Sequence, residues 1–173
     1  MNQLKCLPQE EIVWGHNILE DVAASLGDRG IRRPITFTVG FLESLHRDVL
    51  LPGICDSVGS FIDLPPHVPD FAVRDGLQAC LTRDAQSIVA LGGGSVLDAA
   101  KAVSYAHFKQ TGRYLPIAAF PTTLSGSEFS HYFGVTGRTV RRNSSAATPC
   151  AKRRPRSLPS TPGWSSIPRA RCC

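Results

Sequence analysis

No acidic residue follows Glu128 in this chain, no two cysteines stand in CxxC spacing, and no apolar stretch approaches the roughly 18 consecutive residues of a membrane-spanning helix. The last of these gives no reason to expect a membrane partner. The first residues, MNQLKCLPQEEIVWG, also lack the basic region, apolar run and small-residue cleavage site of a signal peptide, so a cytoplasmic location is expected. Six cysteines without CxxC spacing or a histidine partner support neither a zinc knuckle nor a disulfide framework, and unpaired thiols in a reducing compartment are expected. One methionine and few aromatic residues leave an ordinary aliphatic core, and a hydrophobic content of 42% over 173 residues suffices for one domain.

The formal net charge of +5 would suggest an anionic partner if it were spread along the chain. It is not: up to Thr136 there are 10 basic and 14 acidic residues, and beyond it 9 basic and none acidic. The basic character belongs to residues 137–173, where Arg, Pro, Ser, Thr and Ala replace any helix or strand periodicity. That composition predicts a disordered tail. Its abrupt start and loss of acids are what an alternative frame of a GC-rich gene tends to give, so an out-of-frame segment is expected. The competing reading is a non-catalytic nucleotide-binding module whose basic tail contacts nucleic acid or an anionic surface. The lack of aromatic interleaving in the tail disfavours nucleic acid.

Residues 1–136 alternate strand-like runs with amphipathic helical patterns, the signature of βαβ units around a parallel sheet. A short strand is expected at residues 12–14, then a helix opened by Asn17 and Glu20 at N-cap and N3 spacing and ended by Gly27. Strands are expected at residues 35–39 and 61–64, with a helix at about 42–50 between them that Pro52 cuts short. The loop PPHVP leads into a helix at 71–81 carrying Val73, Leu77, Cys80 and Leu81 on one face. The unbroken apolar run at 87–91 predicts a central strand covered on both sides. From Val96 onward Ala99, Ala100 and Val103 recur at helical spacing, with Asp98, Lys101 and Tyr105 on the other face; a last strand is expected at 117–120.

Two motifs carry the chemistry. In LGGGSVLDAAK, residues 91–101, a buried strand ends in three glycines and a serine that opens a helix. Glycines let backbone approach a ligand closely, and the first helical N–H groups, unpaired within the helix, attract negative charge. This suits a pyrophosphate, although Ser95 and Asp98 also have the spacing of a capping box that would merely start the helix. PTTLSGSE, residues 121–128, follows the next strand, so its hydroxyls would face the same crevice beyond the carboxyl ends of the strands.

The pair GGGSVLDAAK and PTTLSGSE resembles the fingerprint of the iron-containing alcohol dehydrogenase family, and the short second motif with PHVP at 66–69 is similar to its maleylacetate reductase branch. The resemblance runs from about residue 12 to 136. It implies the family's N-terminal NAD(P)-binding domain, a Rossmann-like α/β fold without the C-terminal all-helical domain. It further implies a nicotinamide dinucleotide, NAD or NADP, as cofactor and a small alcohol, aldehyde or oxo-acid as substrate of the full-length relative, which is expected as a homodimer. By the same resemblance Gly93, Gly94 and Ser95 hold the pyrophosphate, and Asp98 lies toward the nicotinamide. Thr122 and Thr123 meet phosphate or the nicotinamide ribose, with Ser125 beside them. The stretch Phe37-Thr38-Val39-Gly40 lacks the acid that binds the adenosine ribose in many members, so NAD and NADP both remain open. Asp98 fits the dehydrogenases better than the maleylacetate reductases, which often lack an acid there. The family's iron or zinc ligands belong to the helical domain, so no catalytic or metal residue is assigned and a fragment without turnover is expected. His16, His46, His67, His107 and His131 form no i, i+4 pair and read as surface or helix-end histidines, His131 being nearest the expected crevice.

Overall fold

A computed structural model describes residues 11–62 and 64–137. The expected disordered or out-of-frame tail lies outside the described residues, apart from Gly137. Among the described residues four strands form one parallel sheet in the order β2-β1-β3-β4, with β1 at Pro34–Phe37, β2 at Gly59–Phe61, β3 at Ser87–Gly92 and β4 at Ile117–Pro121. The chain passes from β1 outward to β2, returns across β1 to β3, and continues the other way to β4. The direction of winding therefore reverses between β1 and β3, where a doubly wound sheet opens a crevice at its carboxyl edge.

Both faces of the central strands are covered, as the apolar run of β3 predicts. Ile88 and Ala90 pack with Ile35 and Phe37 of β1 into one core, whereas Val89 and Leu91 point into a second. The first core is closed by α3 (Asp70–Thr82) and α4 (Gly94–Thr111), and the second by α1 (Leu19–Ser25) and the turns around Leu50 and Ile54. Helix α4 buries Val96, Ala99, Ala100 and Val103 and keeps Asp98, Lys101 and Tyr105 off that face. It stops at Gly112, whose left-handed backbone (φ 75°) lets its N–H bond to the Phe108 carbonyl at 2.8 Å.

Helix α3 sits closer to its neighbours than its large apolar residues suggested. Ala72, Gly76 and Cys80 form its buried line, with Val73 and Leu77 flanking it. A Cβ on Gly76 would lie 3.0 Å from Val103 and 3.2 Å from Phe37, so the missing side chain sets the helix spacing. Cys80 is a free thiol pushed up to about 12 by burial, with Arg83 opposing. Cys55 is disulfide-bonded, which corrects the expectation of unpaired thiols throughout; linear spacing carries no information on cysteines that folding brings together.

Several local expectations fail for definable reasons. Residues 12–14 form no strand: Trp14 is 84% exposed and no sheet partner lies beside it among the described residues. Asn17 does not cap α1, because the helix begins one residue past Ile18 and Asn17 has a positive φ of 56°. The helix expected at 42–50 is a succession of short turns: a 3-10 turn at Gly40–Leu42, α2 at Glu43–Leu45, a π turn at His46–Leu50 and a 3-10 turn at Leu51–Gly53 containing Pro52. Strand β2 pairs through Gly59, Ser60 and Phe61, two residues ahead of the expected position.

His46 is buried and not at the surface, and its Nε2 has no hydrogen-bond partner among the described residues. Burial lowers its pKa below the ordinary 6.5, with Glu43 acting in the opposite direction. The unfolded chain then takes up the proton first. Its contribution to stability is full above the unfolded value and is lost as the pH falls through 6.5 toward the folded value. The urea midpoint should drop between about pH 7.5 and about pH 5.5, and His46→Leu should show a smaller drop. Equal drops in both proteins would remove His46 as the cause.

Candidate functional site

Strand β3 carries the glycine motif to the crevice because nothing larger fits there. A Cβ on Gly92 would come within 2.5 Å of Val96 Cγ2, so the turn from strand to helix can close only over a bare backbone. The Gly93 carbonyl accepts the N–H of Val96 at 3.0 Å and of Leu97 at 3.2 Å, which makes Gly93 the N-cap of α4. The N–H groups of Gly94 and Ser95 consequently have no partner within the helix and lie at its positive end.

The second motif folds directly onto this turn. The Thr122 N–H donates to the Gly92 carbonyl at 3.0 Å, extending the β3–β4 ladder past the strand ends. A Cβ on Gly93 would meet Thr123 Oγ1 at 3.0 Å, and one on Gly94 would meet Ser125 Cβ at 3.1 Å. The structure thus brings Gly93, Gly94, Thr123 and Ser125 into one contact, with Thr122 and Ser95 adjoining and exposed. Leu124, at the tip of the loop, is wholly exposed.

Asp98 does something the sequence did not reveal. It makes no capping box with Ser95, since α4 starts at Gly94 and no side chain caps it. Its Oδ1 accepts a short 2.5 Å hydrogen bond from Ser127 Oγ and pairs with Lys101 Nζ at 2.8 Å, and its Oδ2 accepts from the Gly134 N–H at 3.4 Å. Lys101 and Ser127 were not singled out as site residues. The only sequence signal for them is the i, i+3 spacing of Asp98 and Lys101 on the outward face of α4.

A hollow of about 340 Å³ opens beside these residues, lined by Asp98, Ser125, Ser127, Ser130, Tyr132 and Gly134 among others. A larger one of about 560 Å³ lies at the start of α3, lined by Pro69, Asp70, Phe71, Arg74, Thr136 and Gly137, and contains no residue of either motif. The smaller hollow is the one that belongs to the motif loops. The His131 ring lies tilted at 33° against Tyr132 with ring centroids 4.2 Å apart. His67 is exposed and His107 bonds Arg113 near the end of α4, in keeping with surface and helix-end roles. Among the described residues no three His, Cys, Asp or Glu side chains come together as a metal site, and no helix is long and apolar enough to cross a membrane.

A parallel sheet covered on both faces, with a glycine turn and a hydroxyl-rich loop meeting at its carboxyl edge, defines a Rossmann-like α/β domain. The model of one such family, "Iron-containing alcohol dehydrogenase", matches residues 8–152, and the chain belongs to that family. The match extends beyond both ends of the 12–136 stretch that the motifs alone indicated. Maleylacetate reductase from Pseudomonas knackmussii is 30% identical over 143 residues, covering 82% of this chain and 39% of that protein. The crystal structure of maleylacetate reductase from Agrobacterium tumefaciens superposes with a TM-score of 0.68 at 22% identity, over 85% of this chain and 41% of that one. Sulfoacetaldehyde reductase from Bifidobacterium kashiwanohense, solved in complex with NAD+, gives 0.62 at 24% identity over 72% and 37%. The chain therefore spans about two fifths of the length of the relatives it matches.

Proposed function

We propose that residues 1–136 are the NAD(P)-binding domain of an oxidoreductase acting on a small alcohol, aldehyde or oxo-acid. The observation that carries this reading is the contact of the two motif loops beyond the carboxyl ends of β3 and β4, Gly93 against Thr123 and Gly94 against Ser125. A pyrophosphate needs bare backbone, free N–H donors and hydroxyls within one reach, and these residues supply all three. The N–H groups of Gly94 and Ser95 face the phosphates, and Thr122, Thr123 and Ser125 add hydroxyl donors. Asp98 lies on the nicotinamide side, where Ser127 and Lys101 hold its carboxylate. A bound dinucleotide would supply the hydride. Maleylacetate reductases among the relatives and the NAD+ complex of a neighbour support the reading, and none of the described residues is assigned to iron or zinc.

Hydride transfer also requires a substrate held against the nicotinamide in a closed site. In relatives more than twice as long, most of the chain lies beyond what this sequence spans. The expected outcome is that the purified chain binds NADH or NADPH weakly and does not reduce maleylacetate or a simple aldehyde. Titration calorimetry with both dinucleotides and absorbance at the nicotinamide band read the two parts separately. No binding of either dinucleotide would overturn the proposed function, and measurable reduction would overturn the absence of turnover.

A further inference from the structure

Lys101 stands out among the described cations because a single loop surrounds it. Its Nζ lies 2.8 Å from Ser127 Oγ, 3.1 Å from the Ser127 carbonyl, 3.2 Å from the Ser130 carbonyl and 2.5 Å from the Tyr132 carbonyl. Asp98 Oδ1 completes a set of five oxygens at 2.8 Å. An ammonium has three protons, so five oxygens exceed what it can bond linearly, and the arrangement is that of a cation in an oxygen cage. The side chain is only 16% exposed, so water screens these contacts weakly.

The hydrogen-bond directions are consistent through the whole set. Ser127 Oγ accepts from Lys101 and gives its own proton to Asp98, while the Ser127 N–H donates to Ser125 Oγ at 3.3 Å. Ser125 in turn is the residue packed over Gly94. A continuous path thus runs from Lys101 through Ser127 and Ser125 to the glycine turn. Beyond Ser127 the backbone makes a short 3-10 turn at Ser127–Phe129 and has little other regular structure to hold it, since Phe129 and Tyr132 are about half exposed. Phe133 meets Tyr105 of α4 with centroids 6.0 Å apart, and the next hydrogen bonds that anchor the segment are the long one from the Gly134 N–H to Asp98 Oδ2 at 3.4 Å and those that join Thr136 to Val68, Asp70 and His67.

We infer that Lys101 is a positioning residue: its ammonium acts as a built-in cation that gathers residues 127–132 onto α4 and thereby seats Ser125 and Thr123 over the glycine turn for the dinucleotide. The link to the dinucleotide rests on the proposed function; the gathering of the loop does not. The device differs from a surface ion pair in that most of its acceptors are backbone carbonyls, whose only alternative partner is water, so removing the cation releases the whole segment.

Lys101→Met keeps the apolar stem and removes the ammonium. In the full chain, amide exchange over residues 126–134 should then rise at least about tenfold while residues 88–91 stay protected, because several charge-assisted hydrogen bonds are lost at once. The affinity for whichever of NADH and NADPH the wild type binds should weaken by about tenfold or more. In Lys101→Ala, ammonium chloride should restore both readouts toward wild type, whereas tetramethylammonium chloride, equally charged but without N–H donors, should restore neither. A merely structural stem would show no such selective rescue. Unchanged exchange in Lys101→Met, or equal effects of the two salts, overturns the cage. Raised exchange with unchanged dinucleotide affinity overturns the positioning role. If the wild type binds neither dinucleotide, the proposed function and the positioning role both fail, while exchange and ammonium rescue still decide the cage. Should both Lys101 variants lose protection at residues 88–91, Ser127→Ala, which leaves the cation in place, takes over as the test: selective loosening of residues 126–134 supports the cage, and none overturns it.

Discussion

Phe37→Ala is expected to cost about 3–5 kcal/mol of folding stability, the range found when a buried aromatic is truncated and the hole cannot close. Phe37 is 0% exposed, packs on Phe61 with centroids 5.4 Å apart, and fills the space that Gly76 leaves on α3. Collapse is resisted from every side. Strand β1 is held between β2 and β3 by its ladders, and α3 already lies against α4 through Gly76 and Val103 at a distance with no slack. A small domain has only about 5–15 kcal/mol in total, so the variant should be largely unfolded or shifted to a far lower urea midpoint with an unchanged slope. A loss under about 1 kcal/mol would mean that the two helices do not meet β1 as described.

The parts of the fold that the sequence made legible are those where one physical demand acts alone. Residues 88–91 form an unbroken apolar run with no polar face to turn to water, so they have to be a strand covered on both sides, and β3 is that strand. Helix α4 is equally clear in its face, since Val96, Ala99, Ala100 and Val103 recur at helical spacing and are among the residues it buries, although it starts at Gly94 and not at Ser95. The meeting of the two motif loops follows from the rule that parallel strands present their carboxyl-end loops to a common crevice. What failed was decided by competition. Ser95 and Asp98 have capping-box spacing, but Asp98 gains more from a cation and a serine hydroxyl brought from 29 residues away than from the helix end. Residues 12–14 have strand-forming side chains, yet they lie exposed and pair with none of the described strands, so side-chain preference without packing does not make a strand. His46 looks like any polar residue in a turn, and only the packing of α1 and Leu50 around the turns explains why its ring is buried. Nothing in the linear pattern predicts the oxygen cage of Lys101, because its backbone carbonyls carry no residue identity at all.

Gly94→Val should abolish dinucleotide binding, with a loss of about 100-fold or more, while leaving the fold intact. Position 94 is the first residue of α4, where a side chain is compatible with the helix and where the N–H has no helical partner to lose. The damage is therefore local. A Cβ there already stands 3.1 Å from Ser125 Cβ and 3.3 Å from its hydroxyl, and the two methyls of valine would have to displace the PTTLSGSE loop or occupy the approach to the Gly94 and Ser95 amides. Either result separates hydroxyls from N–H groups that have to act on one phosphate together, and losing two such charge-assisted bonds is worth the stated factor. Gly94→Ala should fall between valine and wild type, because Ser125 can yield the few tenths of an ångström that a single Cβ requires. Calorimetric titration with NADH and NADPH gives the affinities, and the urea midpoint shows whether the fold has survived. A valine variant that binds as tightly as wild type would place the pyrophosphate elsewhere on the molecule. One that loses binding together with a large fall in midpoint would show that the contact between the loops is needed for folding rather than for the ligand.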